Sequence, residues 1–135
     1  MNAEGNADRV RRSYRLFDEG RFDDWIECFS DEAEIPALAL VGRESVYRGR
    51  GGLRKWLDEL GESDTRVRSF DDEYVEVEDG RVVVLGRVVV EHPGQRGFGS
   101  VAGWVYAFSG GLIARVEVYP HPGLALEAVG LAPPQ

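Results

Sequence analysis

The chain has 135 residues, of which 43% are hydrophobic and 30% are charged, as in an ordinary globular domain. Its formal net charge of −8 disfavours nucleic acids and anionic membranes as partners. The single cysteine, Cys28, excludes an internal disulfide framework, and no apolar run approaches the ~20 residues of a membrane-spanning helix. With no signal-peptide pattern at its start, we predict one cytoplasmic domain over residues 1–135, with an ordered core over about 7–131.

The N-terminal half of the sequence predicts helices. Three groups of apolar residues recur at helical spacing, over residues 7–17, 22–29 and 53–60. Gly20 is a typical helix end and separates the first two groups. We therefore expect a short pair of helices at the start of the chain and a third helix after a glycine-rich turn.

The C-terminal half predicts β-strands and hairpins. Apolar runs follow Gly61 as far as Tyr119, and Asp79-Gly80 is the strongest two-residue hairpin signal. In the run before Ser-Gly-Gly (109–111), large and small residues occupy opposite faces: Trp104, Tyr106 and Phe108 against Val101, Gly103, Val105 and Ala107. With a short helix over 124–129, the pattern predicts an α+β domain in which helices pack on one face of a curved antiparallel sheet, shaped as a cone with a mouth.

Several short motifs follow one another over residues 10–131 in a characteristic order. They are Tyr-Arg-Leu-Phe-Asp-Glu-Gly-Arg-Phe-Asp-Asp-Trp (14–25), Cys-Phe-Ser-Asp-Glu-Ala-Glu-Ile (28–35), Tyr-Arg-Gly (47–49), Gly-Gly-Leu-Ile (110–113), Val-Tyr (118–119) and Ala-Leu-Glu-Ala-Val-Gly-Leu (125–131). In this order they resemble the SnoaL-like proteins of the nuclear transport factor 2-like superfamily. The resemblance implies a cystatin-like α+β roll. It leaves the function open, because this fold hosts isomerases, cyclases, dehydratases, epoxide hydrolases and binding domains.

The ketosteroid isomerases of this superfamily use a carboxylate base, with a tyrosine and a protonated aspartate as the oxyanion hole. Aligning the first helix on Gly20 places their tyrosine at Ser13, one position before Tyr14. Aligning residues 30–35 places their base at about Ala37. Because neither position carries the required group, the sequence excludes a standard ketosteroid isomerase mechanism.

The resemblance to SnoaL-like cyclases and limonene-type epoxide hydrolases implies an aspartate on the last strand. That position is Val118 here, beside Glu117, which would reach the pocket only if a bulge changed the register. The epoxide hydrolases also carry Arg-x-Asp on an earlier strand, where this chain keeps Arg87 but has Val89 in place of the acid. The pocket is thus expected to lack its usual carboxylates, and the catalytic candidates that remain are Arg87, Glu117 and His121.

The residues expected to line the pocket are the ligand-binding candidates: Tyr14, Trp25, Tyr47, Arg87, Glu91, Trp104, Tyr106 and Val118. Core packing is the alternative for each aromatic residue. An arginine within an apolar strand needs a partner, so for Arg87 an ion pair with Glu117 or Glu91 is the alternative to a ligand anion. No cofactor is expected, and no metal site is predicted, because the two histidines have no second imidazole or cysteine at ligand spacing.

These patterns predict a cone that binds a small, mostly apolar molecule, and they leave open whether it is catalytic. One alternative is an enzyme of the isomerase, cyclase or epoxide hydrolase type that uses Arg87 and Glu117. Another is a purely structural homodimeric module. If the valine face of the last strand lines the cone, the face that carries Arg115, Glu117 and Tyr119 is free to meet a second copy.

Overall fold

The computed structural model describes residues 5–36, 46–94 and 97–131. The chain begins with α1 (Asn6–Asp18) and α2 (Phe22–Ile26), followed by β1 (Phe29–Pro36), β2 (Val46–Arg48) and α3 (Gly49–Glu62). Four strands come next: β3 (Arg66–Glu76), β4 (Val82–Glu91), β5 (Phe98–Ser109) and β6 (Leu112–Tyr119). The last element is α4 (Pro122–Ala128).

The helices form where the apolar spacing predicts them. Ala7, Val10 and Tyr14 are buried on one face of α1, and Gly20 ends this helix with a φ of 74°, a left-handed conformation that costs glycine little. Leu53 and Trp56 are the large apolar residues that α3 buries, beside Gly49 and Glu59. In the part of the chain that the structure describes, no helix combines the length and the apolarity needed to cross a membrane.

The six strands form one sheet in the order β2-β1-β6-β5-β4-β3. The predicted curved antiparallel sheet is confirmed, with one exception: β1 and β6 run parallel. Both predicted hairpins are present, β3–β4 across Gly80 and β5–β6 across Gly110 and Gly111. Because β3 pairs only with β4, it is an open edge of the sheet.

The two faces of the sheet are covered by different helices. The inner face, which includes Val84, Trp104 and Tyr106, joins the residues of α1 and α3 in the main core. On the outer face, Val83, Leu85 and Val105 are covered by Ala125 and Leu126 of α4 and by Val129, which follows the end of this helix. The sequence predicts this helix but not its position on the sheet. Because α4 covers part of the outer face, only the rest of that face is free.

Irregular pairing curves the sheet. The register of β3 shifts between Asp71 and Glu73, and Gly86 of β4 lies opposite Asp71. A Cβ atom at Gly86 would collide with the carbonyl oxygen of Phe70, so only glycine permits this close approach. A second shift lies between Ala107 and Phe108 in the β5–β6 pair. Such bulges bend strands and increase their twist, and the first of them sets the position of Asp71.

Candidate functional site

A groove runs along the open β3 edge of the cone. It has a volume of about 790 Å³, within the range of roughly 300–1,000 Å³ that is typical of small-molecule sites. Its walls are built from the ends of α1 and α3 and from the inner face of β3: Phe17, Asp18, Leu57, Leu60, Val67, Ser69 and Asp71. This groove matches a small-molecule ligand in size and is open at the surface.

A much smaller cavity adjoins the inner end of the groove. Its volume is about 30 Å³, which is room for about one or two water-sized groups. Phe17, Val67 and Ser69 line both spaces, so the two are adjacent. Seven of its ten lining residues are aromatic, and they include all three tryptophans of the sequence: Tyr14, Phe17, Trp25, Phe29, Trp56, Trp104 and Tyr106. The enclosed apolar hollow expected from the sequence is therefore mostly filled by side chains.

Phe17 separates the cavity from the groove. Its ring centroid lies 5.0 Å from that of Trp25, 5.3 Å from that of Phe22 and 6.0 Å from that of Trp56. The first two contacts are edge-to-face, a favourable arrangement for aromatic rings. A rotation of this half-buried side chain would join the two spaces.

Two phenols meet at the inner end of the cavity. The Tyr106 hydroxyl donates to the Tyr14 hydroxyl over 3.0 Å, and these side chains are only 5% and 9% exposed. Two hydroxyls carry two protons, of which only one lies between the oxygens. Neither hydroxyl has a further hydrogen-bond partner among the described residues. The second proton is therefore available to an acceptor in the cavity.

The electrostatics of the pair keep both phenols protonated. Burial raises the pKa of Tyr14 well above its ordinary value of 10.0, and the charge and hydrogen bond of Tyr106 add to this effect. Burial also raises the pKa of Tyr106. The charge of Asp71 raises the pKa of both groups further. Neutral phenols at physiological pH act as hydrogen-bond donors rather than as bases.

A carboxylate lines the groove from β3. The bulge after Asp71 brings Tyr74 onto the same face, where its hydroxyl donates to Asp71 Oδ2 over 2.6 Å. The guanidinium of Arg11, from α1, lies 4.4 Å from the centroid of the Tyr74 ring. Within the described ranges, Asp71 forms no ion pair, and its Oδ1 accepts no hydrogen bond. The pocket thus contains a carboxylate, which corrects the expectation from the family alignment.

A second carboxylate, Asp18, lies at the mouth of the groove on α1. Its pKa is raised by partial burial and then by the charge of Asp71, while Arg68 has the opposite effect. Two carboxylates close enough to repel each other favour a cation or a hydrogen-bond donor between them. The mouth also carries Glu91, Arg66 and Arg68, so it is a surface of mixed charge.

The structure brings together half of the predicted ligand-binding residues. Tyr14, Trp25, Trp104 and Tyr106 line the cavity. Glu91 lies at the rim of the groove. The remaining three candidates line neither space: Tyr47, Arg87 and Val118.

Tyr47 and Val118 are packing residues. The Tyr47 side chain is 1% exposed, and its hydroxyl donates to Glu59 over 2.5 Å. Val118 packs, partly buried, against the main core. Their positions agree with the core-packing alternative that the sequence leaves open for aromatic residues.

Arg87 lies outside the cone, contrary to the prediction. Its neighbour Val88 is buried in the core, and successive residues of a strand point to opposite faces, so Arg87 points outward. It forms an ion pair with Asp72, with Nε 3.0 Å from Oδ2, and its guanidinium lies 4.7 Å from the centroid of the Phe70 ring. The prediction that Arg87 forms an ion pair with Glu117 or Glu91 is therefore wrong.

The other two catalytic candidates also lie away from the groove. Glu117 is on the outer face of β6 and pairs with Arg115 over 3.4 Å, because the β5–β6 bulge precedes it and does not turn it inward. The Nδ1 atom of His121 accepts a hydrogen bond from the backbone N–H of Gly123 over 3.1 Å, so this exposed side chain caps α4. His121 lines neither the cavity nor the groove.

Sequence reasoning missed Ser69, Asp71 and Tyr74. Carboxylates were sought only at the positions that related enzymes use, and none of those positions is on β3. Strict alternation places Asp71 and Tyr74 on opposite faces, whereas the bulge places them together. The signal that could have revealed this is Gly86, an isolated glycine in an otherwise apolar strand.

Comparison with known families identifies the chain. The model of the SnoaL-like domain matches residues 10–116. The chain belongs to the SnoaL-like family. A comparison with curated protein sequences finds no match.

Solved structures share the fold of this SnoaL-like protein. A nuclear transport factor 2-like protein of unknown function from Burkholderia pseudomallei is 17% identical, with 95% of this chain and 99% of that chain covered and a TM-score of 0.74. TerC, co-crystallised with polyporic acid, is 18% identical, with coverages of 92% and 96% and a TM-score of 0.74. SalBIII, an epoxide hydrolase/cyclase-like enzyme, is 21% identical, with coverages of 84% and 88% and a TM-score of 0.68. These matches confirm the cone-shaped α+β fold.

Proposed function

We propose that this SnoaL-like protein binds a small, mostly apolar molecule in the groove, and that the phenol pair of Tyr14 and Tyr106 binds its polar end. One observation carries the proposal: a buried hydrogen-bond donor lines an aromatic cavity, and only the side chain of Phe17 separates that cavity from a groove of ligand size. Sites of this kind combine apolar walls with a few placed polar groups.

The dimensions of the two spaces describe the ligand. The body of the molecule occupies the groove, where Phe17, Leu57, Leu60 and Val67 offer apolar contact. Burial of such surface contributes roughly 25 cal/mol per Å². The cavity of about 30 Å³ admits only a small terminal group. Because the phenols donate, that group is a hydrogen-bond acceptor such as a carbonyl oxygen.

Structural neighbours support small-molecule binding as the class of function. TerC was co-crystallised with polyporic acid. SalBIII has a role in pyran ring formation in the polyether salinomycin. Both proteins share the cone fold with this chain.

Tryptophan fluorescence tests the proposal, because all three tryptophans line the cavity. The probes are 2-tetralone, a bicyclic ketone, and tetralin, which has the same ring skeleton without the oxygen. We expect 2-tetralone to change the emission saturably at one site. In the double variant Tyr14→Phe/Tyr106→Phe, its affinity should fall about tenfold, the effect of one lost hydrogen bond of about 1.4 kcal/mol.

A matched control is Arg87→Ala, which removes an exposed side chain from the outer face and should bind 2-tetralone as the wild type does. Circular dichroism confirms that each variant is folded. The proposal fails if the folded wild type binds neither probe, or if the double variant keeps the full affinity for the ketone.

We also propose that two copies associate through the part of the outer face that α4 leaves uncovered. Val101 of β5 is 47% exposed there, which is unusual for a large apolar side chain, and the Arg115–Glu117 ion pair lies on the same face. Size-exclusion chromatography at low and high salt tests this proposal. A dimer that Val101→Asp converts to a monomer supports it, and a wild-type monomer at every concentration refutes it.

A further inference from the structure

We propose that Asp71 is the specificity-determining residue of the groove, and that the ligand carries a hydroxyl donor that binds Asp71 Oδ1 in addition to the acceptor that reaches the phenol pair. This inference rests on the proposed function. It adds a second polar anchor and so defines the class of ligand: a flat molecule with an acceptor at one end and a hydroxyl at the other.

The first argument is the unused capacity of the carboxylate. Asp71 Oδ2 accepts one hydrogen bond, from Tyr74, while among the described residues Oδ1 accepts none and no cation forms an ion pair with this carboxylate. A carboxylate has about four acceptor positions. A half-buried charge that has lost part of its hydration gains from a donor supplied by a ligand.

The second argument is that Asp71 is held in place. Tyr74 packs against the main core, and the Arg11 guanidinium lies over its ring, so the hydroxyl that binds Asp71 comes from a fixed side chain. The bulge and Gly86 set the backbone at this point. An acceptor that is already oriented costs little entropy when a ligand binds it.

The third argument is spacing. Ser69 lines both the cavity and the groove, whereas Asp71, two residues further along the same face of β3, lines the groove alone. Two residues of a strand span about 7 Å. Asp71 therefore lies further out than the residue shared with the cavity, so a ligand whose acceptor reaches the phenols would meet Asp71 with a group that lies in the groove.

The experiment compares 2-tetralone with its 6-hydroxy and 6-methoxy derivatives by tryptophan fluorescence. The hydroxyl and methoxy groups occupy the same position, but only the hydroxyl donates. We expect the wild type to bind the hydroxy compound about tenfold more tightly than the methoxy compound, the lower end of the range for a hydrogen bond to a charged acceptor, because Asp71 is only half-buried.

The variant Asp71→Asn keeps an acceptor for Tyr74 and removes the charge. Because charge-assisted hydrogen bonds are roughly twice as strong as neutral ones, the preference should fall from about tenfold to about threefold. Asp72→Asn is the matched control: its carboxylate is on the outer face with Arg87, so the preference should stay unchanged.

The outcomes separate this inference from the proposed function. If 2-tetralone binds but the wild type shows no preference for the hydroxy compound, the role of Asp71 is refuted and the groove remains a binding site. An equal loss of preference in the Asp72 variant refutes that role too. If no compound of the series binds, both proposals are overturned.

Discussion

Removing the two phenol hydroxyls singly and then together tests the hydrogen bond at the inner end of the cavity. Tyr14→Phe and Tyr106→Phe each delete one partner and leave the other buried without it. A buried polar group without its partner costs about 1–3 kcal/mol. Since the adjoining cavity of about 30 Å³ can hold a replacement water, we expect the lower part of that range, about 1–2 kcal/mol for each single variant.

The double variant should behave differently from the sum of the two. It removes both polar atoms, and the edge-to-face contact of the rings, with centroids 6.2 Å apart, is retained by two phenylalanines. Replacing both partners by apolar groups of the same shape is nearly neutral, so we expect a loss of about 0–1 kcal/mol. The coupling energy is then at least about 1 kcal/mol.

Urea unfolding followed by tryptophan fluorescence measures these free energies, because the tryptophans lie in the core. A variant that changes the midpoint but not the slope has changed stability alone. Losses that simply add in the double variant would refute the hydrogen-bonded pair, since independent hydroxyls have no coupling energy.

Three further predictions concern the outer face and the buried phenols. Gly103→Ala should destabilise the protein by about 1–3 kcal/mol, because the new Cβ would lie 2.6 Å from the Cβ of Ala125 in α4. Gly99→Ala in the same strand is the control, since its Cβ would meet nothing closer than 3.4 Å. The midpoints of urea unfolding compare the two variants. Arg87→Ala should change the free energy of unfolding by less than about 1 kcal/mol, since its ion pair is exposed; a larger loss would show that this pair is structural. Burial raises the pKa of Tyr14 in the folded state, so the contribution of its protonated form to stability is complete below the ordinary pKa of 10.0 and is lost as pH rises above it. The free energy of unfolding should therefore fall by about 1.4 kcal/mol per pH unit above 10.0 for each such tyrosine. A free energy of unfolding that stays constant over this pH range would contradict the prediction.

Alternation of residue types predicted which residues of β5 share a face, but it left open which face of β6 lines the cone. Trp104 and Tyr106 lie in the main core on the inner face, while Val105 packs on the outer face with Ala125 and Leu126 of α4. The same alternation in β4 places Arg87 and Val88 on opposite faces of the sheet. Because Val88 is buried on the inner face, Arg87 lies on the outer face. The wrong prediction arose because the family alignment, rather than the parity of the strand, set the expectation for that residue.

The candidate site was harder to predict because it depends on departures from regular structure. A bulge in β3 decides that Asp71 and Tyr74 share a face, and the position of a bulge follows from tertiary packing rather than from local pattern. The volume of the cavity depends on how Phe17 packs between its aromatic neighbours. The place of α4 depends on the absence of a side chain at Gly103, because a Cβ atom there would collide with Ala125. The sequence shows the glycine but does not indicate that α4 packs against it.

The most direct test of the site is the ratio of the dissociation constants of tetralin and 2-tetralone, measured for the wild type and for the Tyr14→Phe/Tyr106→Phe variant. If the buried phenol pair binds the ligand oxygen, the ratio should be about ten in the wild type and near one in the variant. The same ratio in both proteins would mean that the ketone oxygen does not reach the pair, and the binding mode proposed for the groove would be wrong.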